Sequence, residues 1–119
     1  MKQLFVASLA LVLGACSSSE DEQPPVVDCS TVQPVPTFSQ VDAFQNVCTE
    51  CHSSTKSGSA RKGAPSSINF DQYDSASAHA RQAAIEVNVG SMPPPSENLS
   101  LTSVQKTTLF DWAMCGAPQ

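Results

Sequence analysis

The sequence predicts an all-α fold, one small helical domain carried behind a disordered tether. Three segments, roughly 39–51, 74–88 and 102–115, repeat apolar residues at helical spacing. No run alternates apolar and polar residues for long enough to make a strand. The chain has 119 residues, room for one domain rather than two. At 40% hydrophobic and 14% charged residues it is neither a disordered polar chain nor a multi-span membrane protein.

Residues 1–15 read as an export signal. Lys2 supplies the positive charge, and Leu4 to Leu13 form a weakly polar-to-apolar run. A bilayer span needs roughly 20 such residues, so this run is too short to cross one. Leu13-Gly14-Ala15-Cys16 resembles a bacterial lipobox, which implies lipidation of Cys16. The alternative is an ordinary secreted protein cut by the usual peptidase. Export places the chain where thiols oxidise. Residues 16–36 read as a flexible tether. They hold Ser17-Ser18-Ser19, the acidic run Glu20-Asp21-Glu22 and four prolines, and bury too little apolar surface to offset their ordering entropy.

The domain is expected over 37–119. In its first helix Val41, Phe44, Val47 and Cys51 share a face, with Ser39 and Asp42 spaced as a capping box. The second carries Ala76, Ala80, Ala83, Ala84 and Val87 on one stripe, with Asp74 placed to cap it and Gly90 to stop it. The third starts at a Thr102–Gln105 capping box, presents Leu109, Trp112 and Ala113, and ends at Gly116. A long polar loop, 53–69, joins the first two, and a loop of that length in a small domain usually serves a site. Mostly alanine-faced helices leave a thin core, with room for something else to fill it.

Cys48-Thr49-Glu50-Cys51-His52 has the C-x-x-C-H spacing of covalent haem attachment. Two cysteines three positions apart share one face of a turn, so both thiols can add to the vinyl groups of one porphyrin. The next residue then brings its imidazole to the iron. The competing readings are a dithiol redox pair, which expects a βαβ setting absent here, half of a zinc site, which lacks its second ligand pair, and coincidence.

Over roughly residues 38–118 the chain resembles the small monohaem class I-type cytochromes c with one histidine and one methionine ligand. Phe44 falls four residues before Cys48, where that family keeps a core aromatic. Gly63-Ala64-Pro65 falls where the family has a proline whose carbonyl accepts the proximal imidazole proton. Ser91-Met92-Pro93-Pro94-Pro95 resembles its methionine loop, and Leu109 and Trp112 sit on the closing helix. The resemblance implies a single covalent haem c held by Cys48 and Cys51, with His52 and Met92 on iron, electron transfer, and no small-molecule substrate. Val41 and Gln40 stand where the family usually has a glycine, which predicts a wider or shifted helix crossing. His79 is the alternative distal ligand, expected inside a helix with little freedom to reach iron. Met114, Phe44 and Trp112 are expected to pack.

With one cysteine assigned to lipid and two to haem, Cys29 and Cys115 remain and are expected to form a disulfide. Arg61 and Lys62 could meet haem propionates, although a charge pair in a loop is usually solvated. The net charge is −5, which offers no footprint for nucleic acid. It suits docking to a basic patch on a redox partner, or plain solubility. No paired carboxylates or Ser/His/Asp ordering suggests an enzyme. The expected role is electron transfer at the cell envelope, in the periplasm or at the cell surface, on a lipid-anchored chain. The alternatives are a haem-based sensor or ligand binder, and a haem-free structural lipoprotein with disulfides.

Overall fold

The computed structural model describes residues 23–119; the expected signal peptide and Cys16 lie outside that range. Four α-helices run in the order α1 (Asp42–Asn46), α2 (Tyr73–Ala78), α3 (Ala80–Asn88) and α4 (Ser103–Met114), with short 3₁₀ turns between them. No strand occurs among the described residues. None of their helices is long and apolar enough to cross a membrane.

The helix expected over 39–51 is instead three pieces. A 3₁₀ turn at Phe38–Gln40 precedes α1, and another at Cys48–Glu50 follows it. The junctions are Val41 and Val47, both buried and neither in helical geometry. Burying these β-branched side chains outweighs continuing the helix. The capping box lies at Thr37 and Gln40 rather than at Ser39 and Asp42.

The second expected helix is interrupted at His79. Gln72, not Asp74, precedes α2, and Asp74 sits in the first turn, where its charge suits the helix dipole. The break has a local cause. The His79 imidazole Nδ1 lies 2.8 Å from the Ser75 carbonyl and competes with the backbone N–H for it. Gly90 takes a positive φ of 81° just past α3, as a helix stop requires.

Helix α4 follows its sequence closely. Thr102 Oγ1 accepts from Gln105 N at 3.2 Å, and Gln105 Oε1 accepts from Thr102 N at 2.9 Å. Gly116 turns left-handed at the other end, and Ala117 N donates back to Trp112 O at 2.8 Å, the closure of a Schellman motif. The tail then ties the domain together. Pro118 O accepts from Trp112 Nε1 at 2.7 Å and from Phe38 N at 3.0 Å, and Ala117 O accepts from Tyr73 Oη at 3.1 Å.

The core centres on Phe44, Leu109 and Trp112, with α4 packed on α1 and α3. Phe44 meets Trp112 edge-on at 5.2 Å and stacks on Phe70 at 4.8 Å. Val41, one of the two positions where a glycine would ease the crossing, is fully buried among them.

Of the stretch expected as tether, residues 23–36 are described. From Gln23 onward it lies against the domain: Asn88 Nδ2 donates to Gln23 O at 3.0 Å, Pro25 is buried, and Cys29 is bonded to Cys115. The disulfide has S–S 2.06 Å and Cα–Cα 5.5 Å, inside the range for such bridges.

Candidate functional site

The C-x-x-C-H segment is held as a turn on the Cys48 carbonyl. That oxygen accepts from Cys51 N at 3.2 Å and from His52 N at 2.8 Å. The five residues are thereby wound tightly enough for both cysteines and His52 to line one cavity of about 350 Å³. Cavities of roughly 300–1,000 Å³ are usual for small-molecule and cofactor sites.

Every wall of this cavity comes from a different part of the chain. Val47, Cys48, Cys51 and His52 form one side. Residues 62–65 with Ile68 and Phe70 form the second, and α3 with His79 forms the third. Met92, Pro93 and Pro94 reach in from the following loop, while Leu99, Leu101 and Leu109 close the apolar floor. Ala83 keeps this face of α3 thin, which leaves volume between it and the Cys48 turn. Met114 is not among the lining residues.

Cys48 and Cys51 are both free thiols. Burial pushes the Cys48 thiol up to about 12. A dithiol oxidoreductase needs a readily formed thiolate, and Cys48 does not supply one. No group of three or more His, Cys, Asp or Glu side chains able to hold a bare metal ion occurs among the described residues.

His52 is half-buried, and its pKa is lowered by desolvation, which the neighbouring Ile68 carbonyl opposes and the Arg61 and His79 charges reinforce. Neutral imidazole is the form that ligates a metal. Phe70 packs edge-on against the ring at 5.3 Å, and Phe70 N donates to His52 O at 2.8 Å, so ring and backbone are both fixed. His52 Nδ1 is buried and has no hydrogen-bond partner. The Pro65 carbonyl expected to serve it accepts from Arg61 Nη2 instead.

Met92 is 38% exposed at the cavity mouth. Its N–H and that of Ser91 both donate to the Glu86 carbonyl, at 3.1 and 3.0 Å, and the Glu86 carboxylate takes the Ser91 hydroxyl. His79 also lines the cavity, contrary to its expected place inside a helix. The Ser75 carbonyl takes one ring nitrogen, and the other has no protein partner among the described residues.

The charges at the rim differ from expectation. Arg61 is buried inside the 53–69 loop, 4% exposed. Lys62 pairs with Glu97 at 2.8 Å and so joins the 58–65 loop to the loop after Met92. Asp71 ties the start of the polar loop to its end, accepting from Ser53 Oγ and from Ser54 N and Oγ. Sequence reasoning missed Glu86, Glu97 and Asp71, because single side chains that clasp loops leave no periodic signal.

The residues present are compatible with a covalent haem: two free thiols, an imidazole held by Phe70, a thioether and a mostly apolar lining. Comparisons with protein-family models, with curated proteins and with solved structures found no match.

Proposed function

We propose that this chain is a monohaem cytochrome c that passes single electrons between redox partners at the cell envelope. The observation that supports it most is the convergence of Cys48, Cys51, His52 and Met92 on one apolar cavity. Cys48 and Cys51 would hold the haem by thioether bonds, His52 would ligate the iron from the proximal side, and Met92 is the proposed distal ligand. Such a haem supplies an iron that takes up one electron and gives it back. The chain's own part is to hold and to tune. The leucine and valine walls exclude water, Phe70 fixes the imidazole, and Glu86 holds the backbone of Met92. A thioether ligand favours ferrous iron and raises the potential.

We further propose that Cys16 carries the lipid anchor and that the acidic surface meets a basic patch on the partner. Electrostatic complementarity of that kind speeds encounter. The role is that of a carrier, with no small-molecule substrate. A sensor or ligand-binding role is the second reading, supported by the exposure of Met92, since a loosely held distal ligand can be displaced.

A redox titration of the purified, haem-loaded chain tests the proposal. A single reversible one-electron wave with six-coordinate spectra in both states is expected. Ready binding of carbon monoxide by the reduced protein would favour the sensor, and a colourless protein would refute both.

A further inference from the structure

From Gln23 the chain is fixed to the helical body. Asn88 Nδ2 donates to Gln23 O at 3.0 Å, Pro25 is buried, and the Cys29–Cys115 bond follows. Cys16 stands seven positions before Gln23, and seven positions of chain span at most about 25 Å in any conformation. A lipid on Cys16 therefore keeps the Gln23–Asn88 contact within that distance of the lipid surface.

Apolar side chains are exposed around that same contact. The large hydrophobic residues exposed among those described are Val26, Val89, Met92 and Val104. Val26, 97% exposed, follows Gln23 by three residues, and Val89 and Met92 follow Asn88 by one and four. Single exposed hydrophobics are ordinary, but here two separate segments bring three of them to the point where the chain leaves for its anchor. The acids beside them, Asp28 and Glu86, are hydrogen-bonded to Ser30 and to Gln82 and Ser91, and Glu20-Asp21-Glu22 precede Gln23. That charge suits a zwitterionic surface rather than an anionic one. Resting on the proposed lipidation of Cys16, we propose that the face carrying Val26, Val89 and Met92 lies on the lipid surface. The anchor makes this contact intramolecular, so a small apolar patch suffices where it would not hold a free protein. Met92, Pro93 and Pro94 also line the cavity, which then opens towards the membrane.

The test uses the full haem-loaded chain, reduced and carrying its lipid, on phosphatidylcholine nanodiscs in which a few lipids bear a gadolinium headgroup. Backbone amide signals should broaden more at Val26 and over 89–92 than in α1, which packs on α4. The Val26→Glu, Val89→Glu double variant changes two side chains on the surface, so the fold is kept. It should stay on the nanodisc through its lipid and lose that pattern. Even broadening over the domain of the wild-type chain would overturn the proposal. So would broadening strongest elsewhere, which would leave this face to a protein partner, and so would an unchanged pattern in the double variant. Failure of the lipid reading itself is seen separately, as a wild-type chain that associates with nanodiscs no better than Cys16→Ser.

Discussion

Two side chains in the cavity, Met92 and His79, are candidates for the proposed distal ligand. Met92 belongs to a loop whose backbone rests on Glu86, and His79 stands at a helix break with one ring nitrogen committed to Ser75. If Met92 is the ligand, Met92→Ala abolishes the weak far-red sulfur-to-iron band of the oxidised protein and lowers the potential, while His79→Ala leaves both unchanged. The reverse pattern would make the centre bis-histidine. A second residue-scale prediction concerns acid. Burial of Asp71 is outweighed by hydrogen bonds from Ser54 and Ser53, so its pKa is depressed below 3.8. A depressed carboxylate contributes stability that is complete above its unfolded value and is lost as pH falls through its folded value. Asp71→Asn should therefore flatten the acid side of the stability–pH curve below about pH 4; a curve that keeps its wild-type slope there would contradict this.

At the scale of elements, the clearest test is the start of α4. Thr102→Ala removes a side-chain cap whose loss typically costs about 1 kcal/mol, readable as a lower denaturant midpoint. An unchanged midpoint would show that the box seen here carries no weight. This helix was legible at both ends because its signals are local: Thr102 and Gln105 satisfy each other, and Gly116 supplies the left-handed turn. The segment before Cys48 was not, because Val41 and Val47 read as good helix-face residues and their departure from helical geometry is imposed by the core around Phe44 and Trp112. His79 was misjudged for a related reason. Its stripe of alanines is helical on both sides, and a side chain bonding to a carbonyl one turn back leaves no trace in spacing. The Cys48–His52 turn needed no such context, since its spacing is read from contiguous residues. Arg61 was the opposite case: in a polar loop an arginine reads as solvated, and its burial depends on five backbone carbonyls and an amide gathered by the fold.

At the scale of the whole molecule, a disulfide closes the described residues into one large loop. Cys29 and Cys115 are joined across a sequence separation of 86, and residues from Gln23 on are drawn onto the helical body. In the chain-entropy model a loop of this size is worth roughly 4–5 kcal/mol. The Cys29→Ser, Cys115→Ser double variant should thus unfold at clearly lower denaturant, with its haem spectrum unchanged while folded; an equal midpoint would refute a stabilising role. The proposed lipid anchor belongs to the same scale: Cys16→Ser should release the protein from membranes, with continued membrane association counting against the anchor. The central claim, that the Cys48–His52 turn and its cavity hold one covalent haem, is tested most directly by mass spectrometry. The chain is made with a haem-attachment system and weighed under denaturing conditions. One haem should remain on the wild-type chain and be absent from the Cys48→Ala, Cys51→Ala double variant. A wild-type chain with the bare polypeptide mass would contradict the account.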